Sequence, residues 1–495
     1  MRSHRACGSP TLTRFNGTSA PCEVSTCWRL VGVLTLCGCS ELTKKELTVN
    51  RVRQSMPNPY IRLVCPRNGR WMCSIAQRVT AVSSRRRPSP IRALMPLAAQ
   101  PGMISLGSGS PSPETFPVTN ISITLRDGSS VTLGETATAA AMQYSPTAGM
   151  PPLTKWISQL QASEHGWQGG RICVTTGSQN ALHLALTMLL ESGDTVLADE
   201  YAYPGMLETV RPMGVDVLGV AGDGLGMDPD SLEAVLQQHA SGAVRRPRPR
   251  VLYTIPTGHN PTGATLPNPR RRRVYELCQQ HDILILEDDP YWFLGLDEPM
   301  AGAEPLESFL SMDARSGDGR VLRFDSLSKV LSAGLRCGWV SGPSALIERI
   351  ELHQQVAALH SSGLSQAVVA AVLEAWGPAG WHAHCKGVRA LYRARRDSMH
   401  ASALLHLDGL ASWTRPTHGM FFWLDLTPSG CTDSHALVKK RAVEAKVLLI
   451  PGSSFAAAAA PLSTSPFVRA AFSLASEEAI DVGMERLARL LKSSA

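Results

Sequence analysis

Val321-Leu-Arg-Phe-Asp325-Ser326-Leu-Ser328-Lys329 opens as a short strand pattern and ends in two hydroxyls and an amine, with Arg336 following downstream. The pattern recurs along the chain. Ile172–Thr176, Thr195–Ala198, Val251–Ile255, Ile283–Leu286 and Gly338–Val340 are further short runs bounded by turn residues. They are apolar at nearly every position, which suits a parallel sheet covered on both faces. Helical patterns lie between them, among them Ser178–Glu191 with Gly193 as its stop. The implied fold class is α/β, with a mostly parallel sheet forming a large domain over residues 151–345. A smaller α+β domain is expected from residues 346–495, with helices over Ala345–His360 and Ser476–Leu491 and a contribution from residues 96–150. In such a sheet ligands collect beyond the carboxyl ends of the strands, so chemistry is to be sought there.

Composition narrows the class. The 495 residues are 44% apolar and 18% charged, enough for a real core and unlike a disordered or fibrous chain. No run of apolar residues is long enough to span a membrane as a helix. The net charge of +7 comes from the front end, where residues 1–95 hold 16 Lys+Arg against 3 Asp+Glu. Seven of the 12 cysteines also fall there, and the five scattered over the rest point to reduced thiols. Two targeting signals compete in this region. One is the apolar run Leu30–Leu36 after Arg29, and the other is the window Met72–Arg92, which is rich in Arg and Ser and free of Asp and Glu, as a mitochondrial presequence is. Residues 1–71, irregular and rich in Cys, Pro and Gly, read equally as an extension absent from the mature protein.

Four strand ends carry polar groups. Gly177-Ser178-Gln179-Asn180 opens a helix, either as a phosphate cradle or with Ser178 as an ordinary N-cap. Glu287-Asp288-Asp289-Pro-Tyr291 puts carboxylates at the end of a buried strand, where Asp288 either holds a proton on a heterocyclic nitrogen or joins a structural ion pair. His259-Asn260-Pro261-Thr-Gly263 is a turn that also offers an amide. Ser326, Ser328, Lys329 and Arg336 combine an amine able to attack an aldehyde with the makings of an anion site. One pocket would then hold an anion cradle, a buried acid, an amide and an amine.

With these motifs in this order, the chain resembles the class I/II aminotransferases among the fold type I pyridoxal-phosphate enzymes. Within that family it resembles the branch acting on kynurenine and 2-aminoadipate, through PSPIR at 88–92, MISLGSGSPSPETFP, QYSPTAGMP, FDSLSKVLSAGLRCGW, THGMFFWLDL and FVRAAFS. The resemblance implies pyridoxal 5'-phosphate as cofactor, with Lys329, Asp288 and Tyr203 as the catalytic group. Lys329 would carry the cofactor and Asp288 would face its ring nitrogen, while Asn260 and Tyr291 would bond its phenolic oxygen and Tyr203 would stack on its ring. Ser178, Gln179, Ser326, Ser328 and Arg336 would hold the phosphate, joined by Tyr144 from a second copy, which makes the active unit a homodimer. Arg469 would grip the substrate α-carboxylate as a bidentate fork, beside Asn260 and Tyr144, and Gly109 and Arg92 would line the side-chain pocket.

The implied reaction is a ping-pong transfer of an amino group from 2-aminoadipate or kynurenine to 2-oxoglutarate, in the mitochondrial matrix or alternatively the cytoplasm. No metal, nucleic acid or membrane is required. A β-lyase acting on cysteine conjugates would use the same residues. A transcription regulator with an aminotransferase-like body would need a helix-turn-helix, and the front end lacks amphipathic helical periodicity. The chain departs from the family pattern at Ser110, at Pro204 after Tyr203, in the short loop before Ile172 and in the alanine run 456–460.

Overall fold

A computed structural model describes residues 78–493, apart from 95–96, 98–99, 108, 243–245, 299–301 and 458–463. The extension expected at 1–71, the run Leu30–Leu36 and residues 72–77 lie outside the described residues.

Seven strands build the central sheet: β1 (Arg171–Thr175), β2 (Thr195–Asp199), β3 (Asp216–Val220), β4 (Val251–Thr254), β5 (Leu284–Asp288), β6 (Val321–Ser326) and β7 (Gly338–Gly342). Their spatial order is β1-β7-β6-β5-β4-β2-β3. The neighbours from β6 through to β3 pair in parallel, whereas β7 is antiparallel to both β6 and β1. This corrects the reading of Gly338–Val340 as one more parallel strand, because a strand buried at every position carries no mark of its direction. The edge strand β3 escaped the sequence pattern because Asp216 and Gly219 face solvent and interrupt its apolar run.

Helices cover the sheet. The first, α1 (Ser178–Leu189), buries Ala181, Leu182, Ala185, Leu186 and Leu189 along one stripe, the spacing a helix needs to cover a sheet. The helix α2 (Ser344–Ala357) stops short of the expected His360. After it comes α3 (Gly363–His406), where Gly377 at φ 59° and ψ −178° and then Pro378 break the path and separate two helical halves. Leu133, from a hairpin of Ile121–Thr124 and Ser130–Leu133, shares a small core with Ala367 in the first half. Met399 and Ala403 in the second half pack with Ile480, Met484 and Leu487 of α4 (Glu477–Lys492), whose N-terminus is capped by Ser476. That core is closed by a second, antiparallel sheet of β8 (Phe421–Asp425), β9 (Ile450–Pro451) and β10 (Phe467–Ala471), with β10 in the middle.

Part of the presequence-like window belongs to this packed body. Arg78 is buried and pairs with Asp282, the Thr80 N–H donates to the carbonyl of Met188 at 2.8 Å, and the buried Ser83 hydroxyl lies 3.0 Å from His353 Nε2. The five described cysteines are free, and among the described residues no helix is long and apolar enough to cross a membrane.

A buried ion cluster ties the central strands together. Arg323 on β6, fully shielded from solvent, lies 3.1 Å from Glu287, from Asp289 and from Asp325. Glu287 also receives the N–H groups of Phe309 and Leu310 at 2.9 and 3.0 Å, anchoring the next helix, while Asp325 receives Gln161 Nε2 at 2.7 Å. Removing one member of such a cluster strands uncompensated charge. Arg323→Met is therefore expected to lower stability by roughly 3–5 kcal/mol, read as the urea midpoint, and an unchanged midpoint would contradict the account.

Candidate active site

Successive side chains on a strand point to opposite faces, and the acidic run at the end of β5 exploits this. Glu287 and Asp289 face the Arg323 cluster, so for them the structural reading holds. Asp288 is different. It is buried, its Oδ2 receives the Tyr253 hydroxyl at 2.9 Å, and its Oδ1 is shielded from solvent without a hydrogen-bond partner. Burial, with Asp289 and Asp325 nearby, pushes its pKa up to about 7 against the pull of Tyr253 and Arg323. A buried carboxylate oxygen without a donor calls for one, and a protonated ring nitrogen would fit there.

Lys329 follows β6 and is half-buried. Burial, then Arg336 and Arg469, hold its amine below the usual lysine value, which increases the fraction available as nucleophile or base. Tyr203 and Tyr291 share this field, since both hydroxyls are raised by burial and by Asp288 and lowered by Arg469. Lys329, Asp288, Tyr203, Tyr291, Arg336 and Arg469 therefore form one electrostatic group.

The anion cradle is assembled from three segments. The N-cap of α1 is Gly177, not Ser178 as the ordinary-cap reading had it, and no side chain caps the helix. Its leading N–H groups are left for an anion. Gly177 has φ 78°, and a Cβ there would lie 2.4 Å from Arg336 Nη2, so the position admits only glycine while the guanidinium keeps its place. Arg336 donates to Ser328 Oγ at 3.1 Å and to the Thr176 carbonyl at 3.2 Å. Ser326 Oγ accepts the Ser328 N–H at 3.2 Å. Gln179 donates to the Gly205 carbonyl at 3.1 Å, and its Oε1 is buried without a partner. Pro204 stands first in the helix Pro204–Val210 behind Tyr203, a position where proline is favoured, so this departure leaves the backbone unstrained.

Arg469 sits on β10, and its Nη1 donates to Asn260 Oδ1 at 2.7 Å. The guanidinium lies over the rings of Phe421 and Phe455, 4.4 and 5.1 Å from their centroids, and its Nε is buried without a partner. Such a fork is half-engaged and open to a carboxylate. Arg92 and Tyr144 form a group of their own. The Arg92 guanidinium lies 5.8 Å from the Tyr144 centroid and donates to the Ser145 carbonyl at 2.9 Å, and Tyr144 is 50% exposed. Gly109 is exposed, with open space where a Cβ would be.

These donors and acceptors fit a pyridine ring bearing a phosphate. The model of the class I and II aminotransferases matches residues 101–487. The chain belongs to that family. Mitochondrial kynurenine/alpha-aminoadipate aminotransferase of Bos taurus is 40% identical over 434 residues, covering 85% of this chain and 99% of the bovine one. Kynurenine aminotransferase of Pyrococcus horikoshii is similar in structure, with a TM-score of 0.66 at 27% identity, covering 86% of this chain and 99% of its own. Aminotransferase Aro8 of Candida albicans gives a TM-score of 0.74 at 26% identity, covering 84% and 98%. An aminotransferase of this class is a fold type I enzyme, and the family implies pyridoxal 5'-phosphate as its cofactor.

Sequence reading missed Tyr253 and the Arg323 cluster. The signal for both was a polar side chain inside an otherwise apolar strand, in Val251-Leu-Tyr253-Thr and Val321-Leu-Arg323-Phe. In the cofactor-free aminotransferase the raised pKa of Asp288 makes the folded state bind a proton that the unfolded chain has released, so stability falls as pH rises from about 4 to about 7. Asp288→Asn is expected to flatten that fall, as measured by urea unfolding at a series of pH values, and an unaltered slope would count against a buried, protonatable Asp288.

Proposed function

We propose that this aminotransferase moves the amino group of 2-aminoadipate or kynurenine to 2-oxoglutarate, working as a mitochondrial homodimer. The observation that carries the chemistry is the buried, unpartnered Oδ1 of Asp288 in the electrostatic group of Lys329. Identity to the bovine enzyme along nearly its whole length supports the substrate class. Pyridoxal 5'-phosphate, when bound, supplies an electron sink that stabilises negative charge on the substrate α-carbon.

The chain's own residues do the rest. Ser178, Gln179, Ser326, Ser328 and Arg336 would hold the cofactor's phosphate at the N-terminus of α1. Asp288, kept anionic by the donor it gains, holds a proton at the ring nitrogen. Asn260 and Tyr291 would bond the phenolic oxygen, and Tyr203 would pack on the ring. Arg469, already fixed by Asn260, takes the substrate α-carboxylate and orients the α-hydrogen. The Lys329 amine, with its lowered pKa, takes the proton from the substrate α-carbon and would pass it to the cofactor carbon that had carried the aldehyde; in the second half of the cycle it would move a proton the opposite way, to the α-carbon of the incoming 2-oxo acid. Arg92 receives a distal carboxylate or carbonyl beside Gly109, and Tyr144 reaches the site of the second copy. An import signal would lie upstream of Arg78, because Arg78 and Ser83 are already part of the packed body.

The deciding experiment follows the absorbance of the protein with pyridoxal 5'-phosphate, before and after 2-aminoadipate or kynurenine. Conversion of the lysine-bound band to that of the amine form is expected with at least one of them. A bound cofactor that neither amino acid converts would sink the substrate assignment. Lys329→Ala is expected to abolish steady-state turnover while still binding the cofactor non-covalently. Arg469→Lys is expected to raise KM at least about tenfold, because a single ammonium cannot form both carboxylate bonds.

A further inference from the structure

Tyr253 stands in the middle of β4, where every residue is buried, and is 1% exposed. A phenol in such a strand costs free energy unless its hydroxyl is satisfied, and a phenylalanine would fill nearly the same space without that cost. The hydroxyl is therefore not there for packing. Its proton goes to Asp288 Oδ2 at 2.9 Å, while Oδ1 of the same carboxylate receives nothing. The terminal torsion of an aspartate is soft and two-fold, so one fixed oxygen sets where the other points.

We propose that Tyr253 is a positioning residue of the transamination site: it anchors one oxygen of Asp288 so that the other is presented to the ring nitrogen of the cofactor. This rests on the reading of Asp288 as the partner of that nitrogen. The surrounding charges leave the task to Tyr253. Asp289, just past the strand, and Asp325 on β6 repel the carboxylate, and Arg323 on β6, though its charge favours the anion, makes its ion pairs with Glu287, Asp289 and Asp325 and not with Asp288. Lys329 beyond β6 and the hydroxyls of Tyr203 and Tyr291 also interact with Asp288, but none of the three donates a hydrogen bond to it. The Tyr253 bond thus both orients the carboxylate and opposes the burial that favours its neutral form.

The test uses the cofactor-free protein and its variants Tyr253→Phe, Asp288→Asn and the two combined. Each is titrated with pyridoxal 5'-phosphate and unfolded in urea from about pH 5 to 9. Tyr253→Phe is expected to weaken cofactor binding about tenfold and to move the falling limb of stability upward by about one pH unit. In the Asp288→Asn background the same change is expected to alter neither quantity more than about twofold, because the group it acts through is gone. A purely structural tyrosine would lower stability at every pH and leave the limb in place. Tyr253→Phe matching the parent in both readouts, while Asp288→Asn differs, overturns the proposal. Asp288→Asn matching the parent overturns the reading of Asp288 itself, and the proposal with it. If Tyr253→Phe alone does not fold, the double variant decides: stability equal to Asp288→Asn supports the role, and a further large loss overturns it.

Discussion

The buried guanidinium of Arg323 is the interaction on which the centre of the molecule depends. It meets Glu287 on β5, Asp289 just past it and Asp325 from its own strand, all beyond the reach of solvent. A charge so placed is tolerable only because each partner is itself bonded elsewhere, Glu287 to two backbone N–H groups and Asp325 to Gln161. The cluster fixes the register of β5 against β6, where Asp288 pairs with Phe324. It thereby fixes the height at which Asp288 emerges on the opposite face. The position of Asp288 is thus set by a guanidinium on the other face of the strand.

Much of this was legible in the sequence, and the limits have physical causes. Five of the seven central strands announced themselves by largely apolar runs, and a sixth, β6, by the run that opens into Ser326 and Lys329. The edge strand β3 did not, because a half-exposed strand has no such run. The antiparallel direction of β7 was invisible, since apolar composition reports burial and not polarity of the chain. The helix α3 was not delimited by the sequence pattern, and Gly377 and Pro378 break it into two halves.

The site followed the same logic. Lys329, Asp288, Arg336 and the α1 N-terminus lay beyond strand ends, where an open α/β sheet places its ligands. What no spacing could divide was the acidic triplet, in which a period of two turns Glu287 and Asp289 to the Arg323 cluster and Asp288 to the opposite face, where Tyr253 bonds it. Ser178 misled because a serine at a helix start usually caps it, whereas here the glycine before it takes that position. Tyr253 went unread because a single tyrosine in a buried strand does not reveal which acid it reaches.

The lysine and the half-engaged arginine belong to different sheets, Lys329 just past β6 and Arg469 on β10. A substitution at Phe455 or on β9 therefore acts on the surroundings of Arg469 from the second sheet, away from the N-terminus of α1 and the Arg323 cluster. Selection can act on the two halves at different rates, so that a lineage is free to explore new side chains on its substrates while the proton chemistry is inherited intact.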